Sequence, residues 1–317
     1  MHDTAFPKPT TPRNRRLTTA ACGLGAWLAC VGPWLPTHGA LAAGGAAVAG
    51  GASATAIERG QAQFQAGDMK GALSAFDQAV KAAPRDAQPL ILRGSVYQKL
   101  GKLAEAEADL RAALRLDPKL PNAFEVRAEL AAILTDAKRP RDAAVLLEQL
   151  VAERPTHPDS LFNLGLAREA LGEFGPAADA YGRAVRSKPT DVESRISWAG
   201  ALRKAGRLPE SIAASREALT LAGRLSVAPT IHAQVLDELG LAQRRTGDLK
   251  GAEASFRDAL QRAPSLFAAR LHLCTTLAAA GRCPEALREA APIPPKPPFA
   301  DQVAKLRAQC AGAPAKR

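Results

Sequence analysis

The sequence predicts an all-α chain, a solenoid of stacked helical hairpins closed by a C-terminal capping helix. Three observations predict it. Turn residues recur at Gly67, Gly101, Lys138, Gly172, Gly206, Gly247 and Gly281, in steps of 34, 37, 34, 34, 41 and 34 residues. Between them, small and apolar residues return at helical rather than strand spacing. Of the 317 residues 47% are apolar but only 4% aromatic, so Ala and Leu must fill the core, which suits closely packed helices. A near-fixed internal period overrides the two-domain estimate that length alone would give.

Taken from the N-terminus, Lys8, Arg13, Arg15 and Arg16 precede an apolar run from Leu17 to Leu35, followed by Ala40-Leu41-Ala42 as a small-x-small cleavage site. Residues 1–42 therefore read as an export signal, with the mature chain beginning at Ala43 in the periplasm or outside the cell. The alternative is an uncleaved inner-membrane anchor, which Gly23, Gly25, Gly32 and Pro33 weaken. Residues 43–52, AGGAAVAGGA, lack charge and periodicity and read as a flexible Ala/Gly linker.

Residues 53–291 hold the repeats. In Ala87–Leu120, one helix runs through Leu90, Gly94 and Tyr97, a turn falls at Gly101, and a second helix runs through Ala106, Leu110 and Ala113 to Pro118. Gly94 and Ala106 are small where the helices approach, Gly101 suits a left-handed cap, and Pro118 cannot continue a helix. The seven-residue insertion Arg224–Thr230 either lengthens the fifth hairpin's second helix or forms a loop, with Pro229 favouring a loop near its end. Residues 292–298 form a Pro-rich linker, and 299–317 a capping helix and tail with Phe299, Val303 and Leu306 on one face. If that helix runs antiparallel to the one before it, Cys310 returns to the hairpin turn beside Cys283, predicting a disulfide and leaving Cys274 as a small buried thiol.

The residues at the landmark places resemble those of the tetratricopeptide repeat (TPR) family. The first hairpin has Gly60, Gly67, Ala72, Phe76, Ala79 and Pro84; the fourth Leu164, Gly165, Gly172, Ala177, Tyr181, Ala184 and Pro189; the sixth Leu239, Gly240, Gly247, Ala252, Phe256, Ala259 and Pro264. The third departs at Ala131 and Lys138, the fifth at Ser211, Ser215 and Gly223, and the seventh ends early at Pro292. The resemblance implies a right-handed superhelix whose first helices line a concave face that binds protein segments. It also tests one subtype, the two-carboxylate clamp for chaperone C-termini. Asn163 is its only good match, while Ile57, Gln61, Ile91 and Ser95 occupy other clamp places, so no cytosolic chaperone is expected.

On the first helices, Phe162, Leu166 and Glu169 form a second stripe beside the core stripe Leu161, Leu164 and Gly165. Its counterpart in the fifth hairpin is Ile196, Gly200 and Arg203, and in the third Ala128, Ala132 and Thr135. These residues are either the apolar floor of a groove or packing between neighbouring first helices. Acids at the starts of these helices, namely Glu125, Glu129, Asp159, Glu193, Asp237 and Glu238, and bases at their ends, namely Arg203, Lys204, Arg244 and Arg245, either line that groove or complement helix dipoles. The expected partner-binding groove thus comprises Phe162, Asn163, Leu166, Glu169, Ile196, Arg203, Lys204, Arg244 and Arg245.

The chain's net charge is +11, and +8 without residues 1–42, which hold four Lys or Arg and one Asp. That surplus suits anionic partners, although acids are interspersed throughout. His157, His232 and His272 fall one to a repeat without zinc spacing, and no phosphate loop or nucleophile elbow stands out, so no enzyme, metal or cofactor is expected. Without a basic stripe or an aromatic stacking platform, nucleic acid is not expected either. The reading is a scaffold or adaptor of the cell envelope that binds a protein or peptide. The alternatives are a basic module for an anionic envelope polymer or lipid headgroup through Arg203, Lys204, Arg244 and Arg245, and an accessory subunit of an envelope assembly enzyme.

Overall fold

The computed structural model describes residues 44–312, with side chains from residue 51 onward; the expected export signal and cleavage site and the tail 313–317 lie outside the described residues. The described chain divides into two compact units, 44–155 and 156–312. The first unit holds three hairpins, α1 (Gly44–Gln65) with α2 (Met69–Ala82), α3 (Gln88–Lys99) with α4 (Leu103–Leu116), and α5 (Ala123–Asp136) with α6 (Pro140–Glu153). The second holds four, α7 (Pro158–Ala170) with α8 (Phe174–Ser187), α9 (Val192–Lys204) with α10 (Leu208–Arg224), α11 (Pro229–Arg245) with α12 (Leu249–Arg262), and α13 (Phe267–Ala279) with α14 (Cys283–Ala290). A single helix, α15 (Ala300–Ala311), follows them. Among the described residues there is no strand, and no helix is long and apolar enough to cross a membrane.

One expectation fails at the start. The flexible linker drawn over 43–52 is helical from Gly44, as the front of α1. In 44–52 four glycines offset the helix preference of four alanines, but the segment is continuous with the helix from Ser53 onward, so it adds turns without a new nucleation step.

Each hairpin is built on the same two devices. At the turn, Gly67, Gly101, Gly172, Gly206, Gly247 and Gly281 take φ between 71° and 86°, and the residue after each donates its N–H to a carbonyl five residues back, as in Glu173 to Arg168 at 2.9 Å. This bond satisfies a carbonyl that the helix end would otherwise leave open. Lys138 makes the same turn at φ 60°, and Arg139 donates to the Leu134 carbonyl at 2.9 Å. Between the helices, a small first-helix residue faces a large second-helix one. A Cβ on Gly60, Gly165 or Gly240 would lie within 2.6 Å of the ring of Phe76, Tyr181 or Phe256, respectively. At the same two places stand Ala131 and Leu147 in the third hairpin, Ala199 and Ser215 in the fifth, and Cys274 and Ala290 in the seventh. Size is traded between the helices, so all seven close. The exchange is imperfect at Ser215, whose buried Oγ has no partner among the described residues, while Ser211 donates to the Ala199 carbonyl at 2.8 Å.

Neighbouring hairpins are tied on the second-helix side by a recurring ion pair. The residue after the turn is arginine in the third, fifth and seventh hairpins, and Arg139, Arg207 and Arg282 reach back to Glu107, Asp179 and Glu253. Between the first two hairpins Arg93 of α3 joins Asp77 of α2 at 2.7 Å, while two further bonds, at 2.8 and 2.7 Å, hold it to Asp109 of its own hairpin. The Asp109 bonds are the main cause that raises the Arg93 pKa above its usual value.

The insertion at 224–230 does both things open to it. It extends α10 to Arg224, turns through Ser226 at φ 47°, and lets Pro229 begin a lengthened α11, where its missing N–H costs nothing. At the C-terminus, Val303 and Leu306 of α15 are buried with Leu273, Leu277, Ala286 and Ile293, and the rings of Phe267 and Phe299 meet at 6.1 Å. Cys283 and Cys310 are disulfide-bonded across a Cα separation of 5.3 Å, closing a sequence separation of 27 residues. Such a loop is worth about 3 kcal/mol in the chain-entropy view. Cys274 is buried and free, and burial pushes its thiol up to about 12.

Lys138 is the side-chain-bearing exception among the seven turns. A left-handed non-glycine residue is disfavoured by roughly 1–2 kcal/mol, offset in part by the greater chain entropy of unfolded glycine. Lys138→Gly should therefore stabilise the first unit by about 1 kcal/mol, read as a higher denaturant midpoint at unchanged slope.

Candidate functional site: the first-helix face

The second helices contribute core side chains and the ties just described. On the first helices of the second unit, polar side chains instead reach one another from hairpin to hairpin. Lys204 Nζ on α9 donates to Glu169 Oε1 on α7 at 2.6 Å, and Tyr181 Oη donates to the other oxygen of Glu169 at 3.0 Å. Arg203 on α9 places Nε and Nη2 each 3.1 Å from Glu238 Oε2 on α11. Asp237 Oδ1 on α11 lies 2.7 Å from His272 Nδ1 on α13. Arg244 Nη1 donates to Thr275 Oγ1 at 2.6 Å, and Arg245 Nη1 donates to the Arg203 carbonyl at 2.7 Å. Three of these links span 35 residues; for Lys204–Glu169 and Asp237–His272 that is one 34-residue step plus one position, whereas Arg203–Glu238 falls six short of the 41-residue step that the insertion makes between the fifth and sixth hairpins.

The four basic residues differ in how they are balanced. Arg203 and Lys204 each have a half-buried carboxylate. Arg244 has only a hydroxyl, and its pKa is lowered first by burial and then by the nearby Arg203 charge, against a smaller opposing influence of Asp237. Arg245 is exposed.

In the first unit the corresponding link joins α3 to α5, where Ser95 Oγ donates to Glu129 Oε1 at 2.9 Å. Glu129 is 7% exposed, and its Oε2 has no partner among the described residues. Burial pushes its carboxyl up to about 7, against the opposing Ser95 bond.

Family models described as tetratricopeptide repeat match residues 40–87, 57–121, 91–158, 129–192, 162–225 and 244–310. The chain belongs to the tetratricopeptide repeat family. Among solved structures it is similar to a TPR protein from Parabacteroides merdae, with 16% identity, TM-score 0.63, and coverage of 82% of this chain and 99% of that one. It is also similar to MamA, with 22% identity, TM-score 0.52, and coverage of 56% of this chain and 95% of that one. A third is YrrB, described as a TPR protein with an unusual peptide-binding site, with 20% identity, TM-score 0.51, and coverage of 62% and 95%. No curated protein matches the sequence.

Set on these TPR hairpins, the expected groove residues separate. Phe162 is 5% exposed with its ring 5.4 Å from that of Tyr181, and Asn163 is buried as well, so neither offers a side chain to a partner and both leave the groove. A first helix packs against more than its own second helix, so more than one of its stripes is buried. Ile196 is half-buried against Val192, Ala218, Ala222 and Val235. Leu166 is half-buried, while Glu169, Arg203, Lys204, Arg244 and Arg245 form the polar links. The assignment of acids to helix starts also needs correcting. Glu125, Asp159 and Glu193 stand in first turns, but Glu129 is inside α5, and Asp237 and Glu238 are inside the lengthened α11. Sequence reasoning missed the partners Glu238, Asp237 and Ser95, although for the first two the 35-residue spacing of acid and base was available as a signal.

Two outcomes follow. Phe162→Asp should lower helix content and the thermal midpoint of the second unit because it buries an unpaired charge, whereas Leu166→Asp should leave both nearly unchanged; circular dichroism reads both. For Glu129, the folded value near 7 exceeds the reference value of 4.5. Between those values the folded chain keeps the proton while the unfolded chain releases it, so stability falls as pH rises through this window. Glu129→Gln should remove that fall, giving nearly equal thermal midpoints at about pH 5 and pH 8 when other groups are unchanged.

Proposed function

We propose that this TPR chain is a non-enzymatic scaffold of the cell envelope that grips a segment of another protein along its first-helix face. The observation that carries the reading is the division of labour between helices. Both helices of each hairpin contribute core side chains and the turn arginines tie the second-helix side, whereas the first helices of the second unit also carry polar links between hairpins and half-exposed side chains such as Leu166 and Arg244. Cross-hairpin bonds hold several of their neighbours in place, and a surface ordered before binding loses less entropy on binding. YrrB, which shares this fold, is described as having a peptide-binding site. For the envelope, support comes from the basic, apolar and small-residue order of residues 1–42 and from the Cys283–Cys310 pair, which suits an oxidising compartment. An anionic polymer or headgroup is less well served, because Arg203 and Lys204 already hold carboxylates.

A photo-crosslinking residue placed at Leu166 in the full chain, expressed in its own cell, should join a discrete envelope protein. The same residue at Val145, 58% exposed on second helix α6, should not. Equal labelling from the two positions would contradict the reading.

A further inference from the structure

We propose that Arg244 anchors a carboxylate of the bound partner segment, received between α11 and α13. The inference rests on the scaffold reading and adds the chemistry of its ligand. It stands on a contrast within one face. Arg203, Lys204 and His272 each have an acid on the neighbouring first helix, namely Glu238, Glu169 and Asp237. Arg244, half-buried beside them, forms no ion pair among the described residues and donates only to the Thr275 hydroxyl. Thr275 itself donates to the His272 carbonyl at 2.9 Å, and Asp237, the acid that acts on Arg244, is bonded to His272.

A guanidinium in this setting is costly to the free protein, since both its burial and the Arg203 charge oppose it. Its remaining N–H groups are not among the buried atoms without partners, so they stay open to an incoming group. Their planar fork matches the two oxygens of a carboxylate. Arg245 adds a second, exposed positive charge one residue on, and Leu241 lies one turn earlier on α11. A polyanion would need several free cations in a row, and the pairing of Arg203 and Lys204 removes them. A single carboxylate is the better complement, as in a peptide that carries Asp, Glu or a free C-terminus.

The test uses a printed array of randomised decapeptides, each made as the free acid and as the C-terminal amide, probed with the full mature chain and with Arg244→Met. The expected result is enrichment of acidic peptides on the unaltered chain, with affinity falling about tenfold or more in Arg244→Met. Asp or Glu enrichment in both forms identifies a side-chain carboxylate, and binding of free acids alone identifies the terminus. In parallel, Arg244→Met should hold or raise the thermal midpoint of the unliganded protein, because it removes an uncompensated charge. A lowered midpoint, with acidic peptides bound as before, would make Arg244 a structural tie to Thr275 and overturn the proposal. Peptides bound without acid preference would overturn it and leave the scaffold reading intact. Capture of no peptide at all, or Arg244-dependent binding to phosphatidylglycerol vesicles alone, would remove both.

Discussion

In five of the seven hairpins the two helices meet where a small residue on the first faces a larger one on the second, and the rest of the architecture depends on that approach. With Gly165 under the ring of Tyr181, or Gly240 under Phe256, the helices come close enough to bury both rings completely. Burial of such a ring is worth roughly 1.5–3 kcal/mol, yet a single hairpin still leaves apolar surface on its other sides. Stacking covers it, and stacking demands that successive hairpins repeat the same geometry. The positive-φ turns meet this demand by returning the chain with the same hydrogen bond at all seven positions, Lys138 included.

Once hairpins stack, charges on both sides fall into register. On the second-helix side Arg139, Arg207 and Arg282 reach back to acids of the preceding hairpin; on the first-helix side Lys204, Arg203 and His272 find acids 35 residues away. Individually such partly exposed pairs contribute little, typically about 0–1 kcal/mol. Their effect is on order. A first-helix side chain tied to its neighbour has lost its rotamer freedom before any partner arrives, so the face is shaped in advance.

Much of the fold was legible because glycine at a turn and glycine under an aromatic ring have backbone and steric causes that leave a mark in one dimension. The 34-residue step and the hairpin order could be argued from such marks, whereas the placement of Cys283 near Cys310 rested on an antiparallel course for the capping helix. The helical state of 44–52 could not, because an Ala/Gly tract has no periodicity and its conformation is set by the helix it adjoins. The candidate site was legible only in part. Phe162 sits on a stripe apart from the core one, yet α7 is buried around much of its girth, as α5 is through Phe124, Val126, Leu130, Ile133 and Leu134. Helical period finds a buried face reliably only when there is one such face. Glu129 and Glu238 were read by their place along a helix, when their neighbours one repeat away decide their chemistry.

The same correction changes what the basic character of the chain means. A surplus of positive charge suggested a surface for polyanions, but on the first-helix face the cations differ less in charge than in company. Arg203 and Arg244 occupy the same place, three residues before the turn glycine, in consecutive hairpins. One meets a glutamate and the other a threonine at the next helix. The Arg203–Glu238 pair shows that a carboxylate fits against a guanidinium at this place. At Arg244 the chain supplies the Thr275 hydroxyl and only a minor influence of Asp237, so a carboxylate brought by a partner is the group this place lacks.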